Sequence, residues 1–121
     1  MFIDEKKDKI YMEKEVISHI SELHIVDEIS ENSSYYEKWF SVANVRCSKG
    51  NALNFLSDYL NIPIKNTIAI GNDKNDISMF KTAGLSVAVA NASDDIKSKV
   101  DHITLSNDED GVAIFLETLI K

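Results

Sequence analysis

Thr67-Ile68-Ala69-Ile70-Gly71-Asn72-Asp73-Lys74-Asn75-Asp76-Ile77-Ser78-Met79-Phe80 decides the fold. An unbroken apolar run, Thr67 to Ile70, is the pattern of a strand covered on both faces, as in a parallel sheet. A glycine and a string of Asn and Asp then break the run, and Ile77, Met79, Phe80 and Ala83 follow at helical spacing. A strand that turns through a polar loop into a helix is the unit of an α/β fold, and ligands in such folds bind beyond the carboxyl ends of the strands.

The same alternation extends outward from this stretch. Upstream, Ser48 suits the cap of a helix through about Tyr59, with an apolar stripe of Ala52, Leu53, Phe55, Leu56, Tyr59 and Leu60, ending before Asn61-Ile62-Pro63. Downstream, Gly84 is placed to close the short helix as its carboxyl-terminal cap, and Leu85 to Val89 reads as the next strand. Ser93 to Val100 reads as a helix capped by Ser93, His102 to Leu105 as a strand, and Gly111 to Ile120 as the closing helix. Residues 46–121 thus read as an α/β, three-layer parallel-sheet core of Rossmann-like form. Residues 1–45 lack the alternation: Lys14 to Leu23 suits an amphipathic helix, Ile25-Val26 and Tyr36 to Val42 suit strands, and Glu31-Asn32-Ser33-Ser34 is a polar turn. They are expected to form a small α+β appendage.

Composition narrows the function classes. The 121 residues are 44% apolar, enough for one ordinary core, and the net charge of −7 is spread along the chain, which disfavours a nucleic acid partner. No apolar run approaches the length of a membrane span, and Met1-Phe2-Ile3-Asp4-Glu5-Lys6 lacks the features of a signal peptide. Cys47 is the single cysteine, so an internal disulfide is ruled out and a reducing, cytoplasmic setting is expected.

The loop Gly71-Asn72-Asp73-Lys74-Asn75-Asp76 combines a sharp backbone turn, the hard oxygen donors that Mg²⁺ prefers, and a helix amino terminus that favours anions. The alternative is a polar turn in which Asp73 or Asn75 merely caps the helix. Lys49, just inside the helix start Ser48-Lys49-Gly50, supplies a compact, flexible charge suited to phosphate. Alone, that lysine would more often be a solvated surface residue. It is the order that carries weight: a lysine at one helix start, a carboxamide and carboxylate loop one strand later, and Ala90-Asn91-Ala92 after the next strand.

That order resembles the haloacid-dehalogenase (HAD) superfamily, in particular its Cof-type sugar-phosphate phosphatases. The resemblance is carried by Ser48-Lys49-Gly50-Asn51-Ala52-Leu53, by Ile70 through Met79, by Val87-Ala88-Val89-Ala90-Asn91-Ala92, and by Ser106-Asn107-Asp108-Glu109-Asp110-Gly111-Val112-Ala113. It implies that Lys49 steadies the nucleophile and the phosphate, and that Asn72, Asp73 and Asp76 hold Mg²⁺. It further implies that Asn75 and Asn91 line the site of a small phosphorylated metabolite. Cation pumps carry a similar loop, but a pump needs membrane helices.

Two departures from the family pattern stand out. The family loop begins Gly-Asp, whereas Asn72 occupies that second position here, with an expected loss of metal affinity. The family nucleophile is the aspartate of an Asp-x-Asp motif after a strand upstream of the matching region, and residues 1–45 hold neither it nor the family's Ser/Thr motif. The chain is accordingly expected to be the carboxyl-terminal part of such a phosphatase, inactive alone, with residues 1–45 a remnant of the cap domain. A second reading is a non-catalytic phosphate- or metal-binding or regulatory module, completed by a partner chain or by homodimerisation through an exposed sheet edge.

Asp108-Glu109-Asp110-Gly111-Val112 mimics a nucleophile motif, but acids also favour the start of a helix, and this position matches the family's tail. Asp4, with no strand before it, is a poorer candidate. His19, His24 and His102 show no paired metal spacing, Tyr35, Tyr36, Trp39 and Phe40 suit packing better than sugar stacking, and Cys47 suits a small packing residue.

Overall fold

The computed structural model describes residues 19–28 and 40–120. Most of the helix expected over Lys14–Leu23, together with Tyr35, Tyr36 and Trp39, lies outside them. The chain divides into two compact units, Met1–Cys47 and Ser48–Lys121.

In the first unit, β1 (Leu23–Glu28) and β2 (Phe40–Asn44) pair antiparallel, Leu23 opposite Asn44 and Glu28 opposite Phe40, with an irregularity between Ile25 and Asp27. The Asn44 side chain accepts from the Arg46 amide at 2.9 Å and so tightens the turn that follows. Cys47 is exposed, not packed.

The second unit is built on three parallel strands in sequential order: β3 (Ile68–Gly71), β4 (Leu85–Val89) and β5 (His102–Thr104). Ile68 sits opposite Leu85 and Gly71 opposite Ala88, and Val87 to Val89 face His102 to Thr104. The helices are α1 (Lys49–Leu60), α2 (Ile77–Thr82), α3 (Asp94–Lys97) and α4 (Gly111–Leu119). The alternation read from sequence is therefore present in the expected order. The helix expected over Ser93–Val100 shortens to α3, with Ser93 as its cap; β3 runs one residue later than expected at each end, β5 stops one residue earlier, and β4 has the expected bounds.

The central strand β4 is covered on both faces, and Ala69, Phe80, Ala88, Val89, Ala92 and Ile96 form the buried cluster, with Ile77, Met79, Ala83 and Val100 packed on its rim. Burying a side chain such as Phe80 contributes about 1.5–3 kcal/mol. Helices α1 and α2 meet backbone to backbone, since a Cβ on Gly50 would lie 2.5 Å from the Ser78 carbonyl oxygen.

Two expectations are corrected. Gly84 does not close α2 in a left-handed conformation; Ala83 ends that helix with extended backbone, and no glycine among the described residues has positive φ. Gly84 is required instead by proximity, since a Cβ there would lie 2.1 Å from the Lys65 carbonyl oxygen. Nor is most of the apolar stripe of α1 covered. Gly50, Leu53 and Ser57 line the better-covered side, while Phe55 is 66% and Tyr59 76% exposed and Leu56 and Leu60 stand open beside them. The left-handed cap of α1 is Asn61, at φ 54°, a residue that tolerates this conformation better than most.

Candidate functional site

The parallel register brings the carboxyl ends of β3 and β4 to one end of the sheet, and the segment 71–76 leaves β3 there. Gly71 is needed because the loop folds straight back over it: a Cβ would lie 2.4 Å from Asp76 Oδ2. A single 3₁₀ turn, Lys74–Asp76, leads into α2, and the Asp73 side chain accepts from the Lys74 amide at 2.7 Å.

Asp76 organises this loop. Its side chain turns inward and only 3% of the residue is exposed. Oδ2 accepts from the backbone amides of Asn72 at 2.9 Å and Asp73 at 3.1 Å, and Oδ1 accepts from the Lys49 ammonium. Burial pushes the carboxyl upward in pKa, but the Lys49 hydrogen bond, the two amides and the lysine charge together outweigh it and hold Asp76 below the usual carboxylate range.

Lys49 reaches the loop because α1 is held at its first turn in two ways. The Ser48 hydroxyl accepts from the Asn51 amide at 3.1 Å, and the Gly50 amide donates to Ser78 Oγ at 3.1 Å, tying α1 to α2. The ammonium donates to Asp76 and, at 3.4 Å, to Asn75 Oδ1, while the lysine side chain stays 49% exposed. An ammonium has three donors, so one remains for a ligand arriving from solvent.

Of the residues singled out in the sequence, Lys49, Asn75 and Asp76 meet directly, and Asn72 and Asp73 join them through their amides. Asn91 follows β4 at the same end of the sheet, but its carboxamide oxygen accepts from the Asn107 amide at 3.0 Å, so it holds the segment before α4. The decoy at 108–110 is a turn in which Ser106 and Glu109 cap one another reciprocally; Asp110, at φ 53°, starts α4 without a side-chain cap bond. His102 is exposed and packs beside Phe115 with ring centroids 5.4 Å apart.

The donor set bears on Mg²⁺. Among the described residues no three His, Cys, Asp or Glu side chains converge as a metal cage. Asp76 has both oxygens engaged, whereas Asn72 and Asp73 are exposed at the loop and carry hard oxygen donors. That set fits Mg²⁺ as a partial ligand sphere, since the ion keeps several waters and takes few protein oxygens. Sequence reasoning placed Asp76 with the metal donors and missed that it is the buried organiser. The signal lay in its position as first residue before the α2 apolar run, where a carboxylate reaches back to the preceding amides.

A lysine and a carboxylate loop are thus joined across adjacent elements at the ligand-binding end of a parallel sheet. The sequence pattern of the haloacid dehalogenase-like hydrolases matches residues 1–116. The chain belongs to this family. Phosphatase YwpJ of Bacillus subtilis is 41% identical over 102 residues, covering 84% of this chain and 33% of the relative. A second protein of the same organism, the 5-amino-6-(5-phospho-D-ribitylamino)uracil phosphatase YwtE, is 35% identical over 114 residues, covering 94% of this chain and 37% of the relative. Among solved structures, a haloacid dehalogenase-like hydrolase from B. subtilis superposes with a TM-score of 0.69 at 39% identity, covering 97% of this chain and 38% of that one. The HAD subclass IIB sugar phosphatase BT4131 superposes with a TM-score of 0.70 at 26% identity, covering 98% of this chain and 41% of that one. The chain thus spans about a third of the length of the curated relatives it matches, with 33% and 37% covered in these two. The family and the α/β fold implied by the sequence resemblance are thereby established, and the kinship is with phosphatases. No helix among the described residues is long and apolar enough to cross a membrane.

Proposed function

We propose that residues 48–120 carry the electrostatic half of a HAD phosphatase site, which serves the Mg²⁺-dependent hydrolysis of small phosphomonoesters such as sugar phosphates. The observation that supports this most strongly is the Lys49–Asp76 pair. A buried carboxylate fixes the ammonium at the mouth of the loop with a donor to spare. In this scheme Lys49 neutralises phosphate charge as the phosphoryl group transfers, which is where catalysis of such reactions lies. Asp76 holds Lys49 and the amides of the loop in place, and Asn72 and Asp73 contribute oxygens to Mg²⁺. When bound, that ion would supply further charge neutralisation and orient the phosphate. Asn75 and Asn91 border the phosphate. The attacking carboxylate comes from polypeptide outside this set of residues, as do the groups that select the substrate. The single cysteine suits the reducing cytoplasm for such an enzyme.

The test is a chimera: the chain joined to the part of phosphatase YwpJ that lies outside the matched region, assayed for Mg²⁺-dependent hydrolysis of an aryl phosphate. Turnover that falls at least a hundredfold in Lys49→Ala supports the reading. Turnover indifferent to Lys49→Ala sinks it. The second reading, a phosphate- or metal-binding module without turnover, would show itself as phosphate binding in a chimera that never hydrolyses.

A further inference from the structure

The carboxyl-terminal end of α1 opens into a cleft that the site around Lys49 does not use. Asn54, Ser57 and Asp58 lie at i, i+3 and i+4 and so share one face of the helix. With Asn61 at the helix cap and the segment Ile62-Pro63-Ile64, they line a hollow of about 370 Å³. The turn that shapes it is fixed twice over: the Ser57 carbonyl accepts from the Ile62 amide at 3.0 Å, and the Ser57 hydroxyl donates to the Ile62 carbonyl at 2.6 Å. Asp58 is nine residues along the helix from Lys49, about 14 Å at 1.5 Å per residue, so the cleft is separate from the phosphate end.

Its electrostatics run against the usual rule for a helix end. The last carbonyls of a helix carry partial negative charge, which a basic side chain in the final turn ordinarily answers. The last turn of α1 has no basic residue and holds Asp58 instead. Among the described residues no cation pairs with Asp58, and no donor reaches the carboxamide oxygens of Asn54 and Asn61. Lys65, the nearest base in sequence, is not part of the lining. A carboxylate that opposes its own helix end without a compensating contact breaks a local rule, and such breaks concentrate where a chain binds something.

We infer that this cleft is a second binding site, and that its ligand is a primary ammonium carried on an aliphatic stem. One carboxylate balances one positive charge. The three N–H donors of an ammonium match the acceptors offered by Asp58, Asn54 and Asn61, while Ile62 and Ile64 give the stem an apolar surface. A divalent metal fits less well, because a single carboxylate leaves most of its charge and coordination sphere to water. A free alkylamine and the lysine side chain of a peptide share this chemistry. The site does not depend on the proposed phosphatase function.

The test is a titration of the whole chain with 1-butylammonium chloride, followed through backbone and side-chain amide resonances. Saturable shifts are expected at Asn54, Asn61 and residues 58–64 and not at 71–76, with affinity at least tenfold lower in Asp58→Asn and unchanged in Asp95→Asn, an exposed acid of α3. Asp58→Asn removes a charge that opposes the helix end, so its urea midpoint should be no lower than that of the unaltered chain; a lowered midpoint would make Asp58 a structural residue and overturn the inference. 1-Butanol, the stem without the charge, and Na⁺, the charge without the stem, should each bind at least tenfold more weakly. Equal binding of either overturns the inference, as do butylammonium shifts that never saturate or that persist undiminished in Asp58→Asn. Nα-acetyl-lysine methylamide separates the two sources: binding at least tenfold tighter than butylammonium assigns the site to a lysine side chain, and equal or weaker binding assigns it to a free amine.

Discussion

The Lys49 ammonium and the Asp76 carboxylate, 27 residues apart in sequence, pair at the carboxyl end of β3, and the same carboxylate accepts the amides of Asn72 and Asp73. One buried group therefore holds a helix start and a loop in a single arrangement. Replacing it should disturb both at once. In Asp76→Asn the amide nitrogen cannot accept, so either the lysine or the loop amides lose their partner. We expect a stability loss of about 1–3 kcal/mol by urea unfolding, moderated because Lys49 is half exposed and water can solvate it.

The pH dependence follows from the same carboxylate. Asp76 sits below its ordinary value of 3.8 in the folded chain, so between the two values the unfolded chain binds more protons. Its contribution to stability is present above the ordinary value and is lost as pH falls through the folded one. Urea midpoints should therefore fall as the pH is lowered below about 4, and the fall should be shallower in Asp76→Asn. Parallel pH profiles for the two proteins would show that Asp76 is not the linked group.

Gly50→Ala tests the close approach of α1 and α2. Helix propensity alone predicts a gain of up to ~1 kcal/mol. The added Cβ, 2.5 Å from the Ser78 carbonyl oxygen and 2.9 Å from Thr82 Oγ1, predicts the opposite. Steric displacement should win, with a net loss of about 1–3 kcal/mol and with Lys49, the adjacent residue, moved off Asp76. A stabilised variant would mean that the two helices are not in contact in solution.

The order and type of the elements were legible because each carries its own local signal. Thr67–Ile70 is an apolar run closed by glycine, Ser48 and Ser93 are side-chain caps, and Leu85–Val89 has the composition of a covered strand. The meeting of Lys49 with the 71–76 loop was legible only through the family resemblance, since nothing local links two segments a helix and a strand apart. The misread features share a cause: a local pattern marks a helix as having an apolar face or a glycine as a possible cap, but it does not say what packs there. The stripe of α1 is apolar at helical spacing and still exposed. Gly84 was read as a cap because a glycine after a helix ordinarily is one, whereas here the Lys65 backbone occupies the space of its side chain.

Asn72 is the departure from the family loop that bears on the metal. If it and Asp73 supply oxygens to Mg²⁺, restoring a charge should tighten binding, and Asn72→Asp is expected to lower the Mg²⁺ dissociation constant by about tenfold in isothermal titration. Its stability should change little, because the residue is exposed and its amide, not its side chain, is bonded to Asp76. Equal affinity in the two proteins would remove residue 72 from the metal site.

In the proposed site Lys49 and the Gly71–Asp76 loop bind phosphate as a unit, and this is read from backbone amide chemical shifts of the chain during titration with inorganic phosphate in the presence of Mg²⁺. Shifts are expected to be confined to Lys49, Gly50, the 71–76 loop and its neighbours, and to be abolished in Lys49→Ala. Shifts scattered over surface lysines, or a loop response that survives Lys49→Ala unchanged, would contradict it.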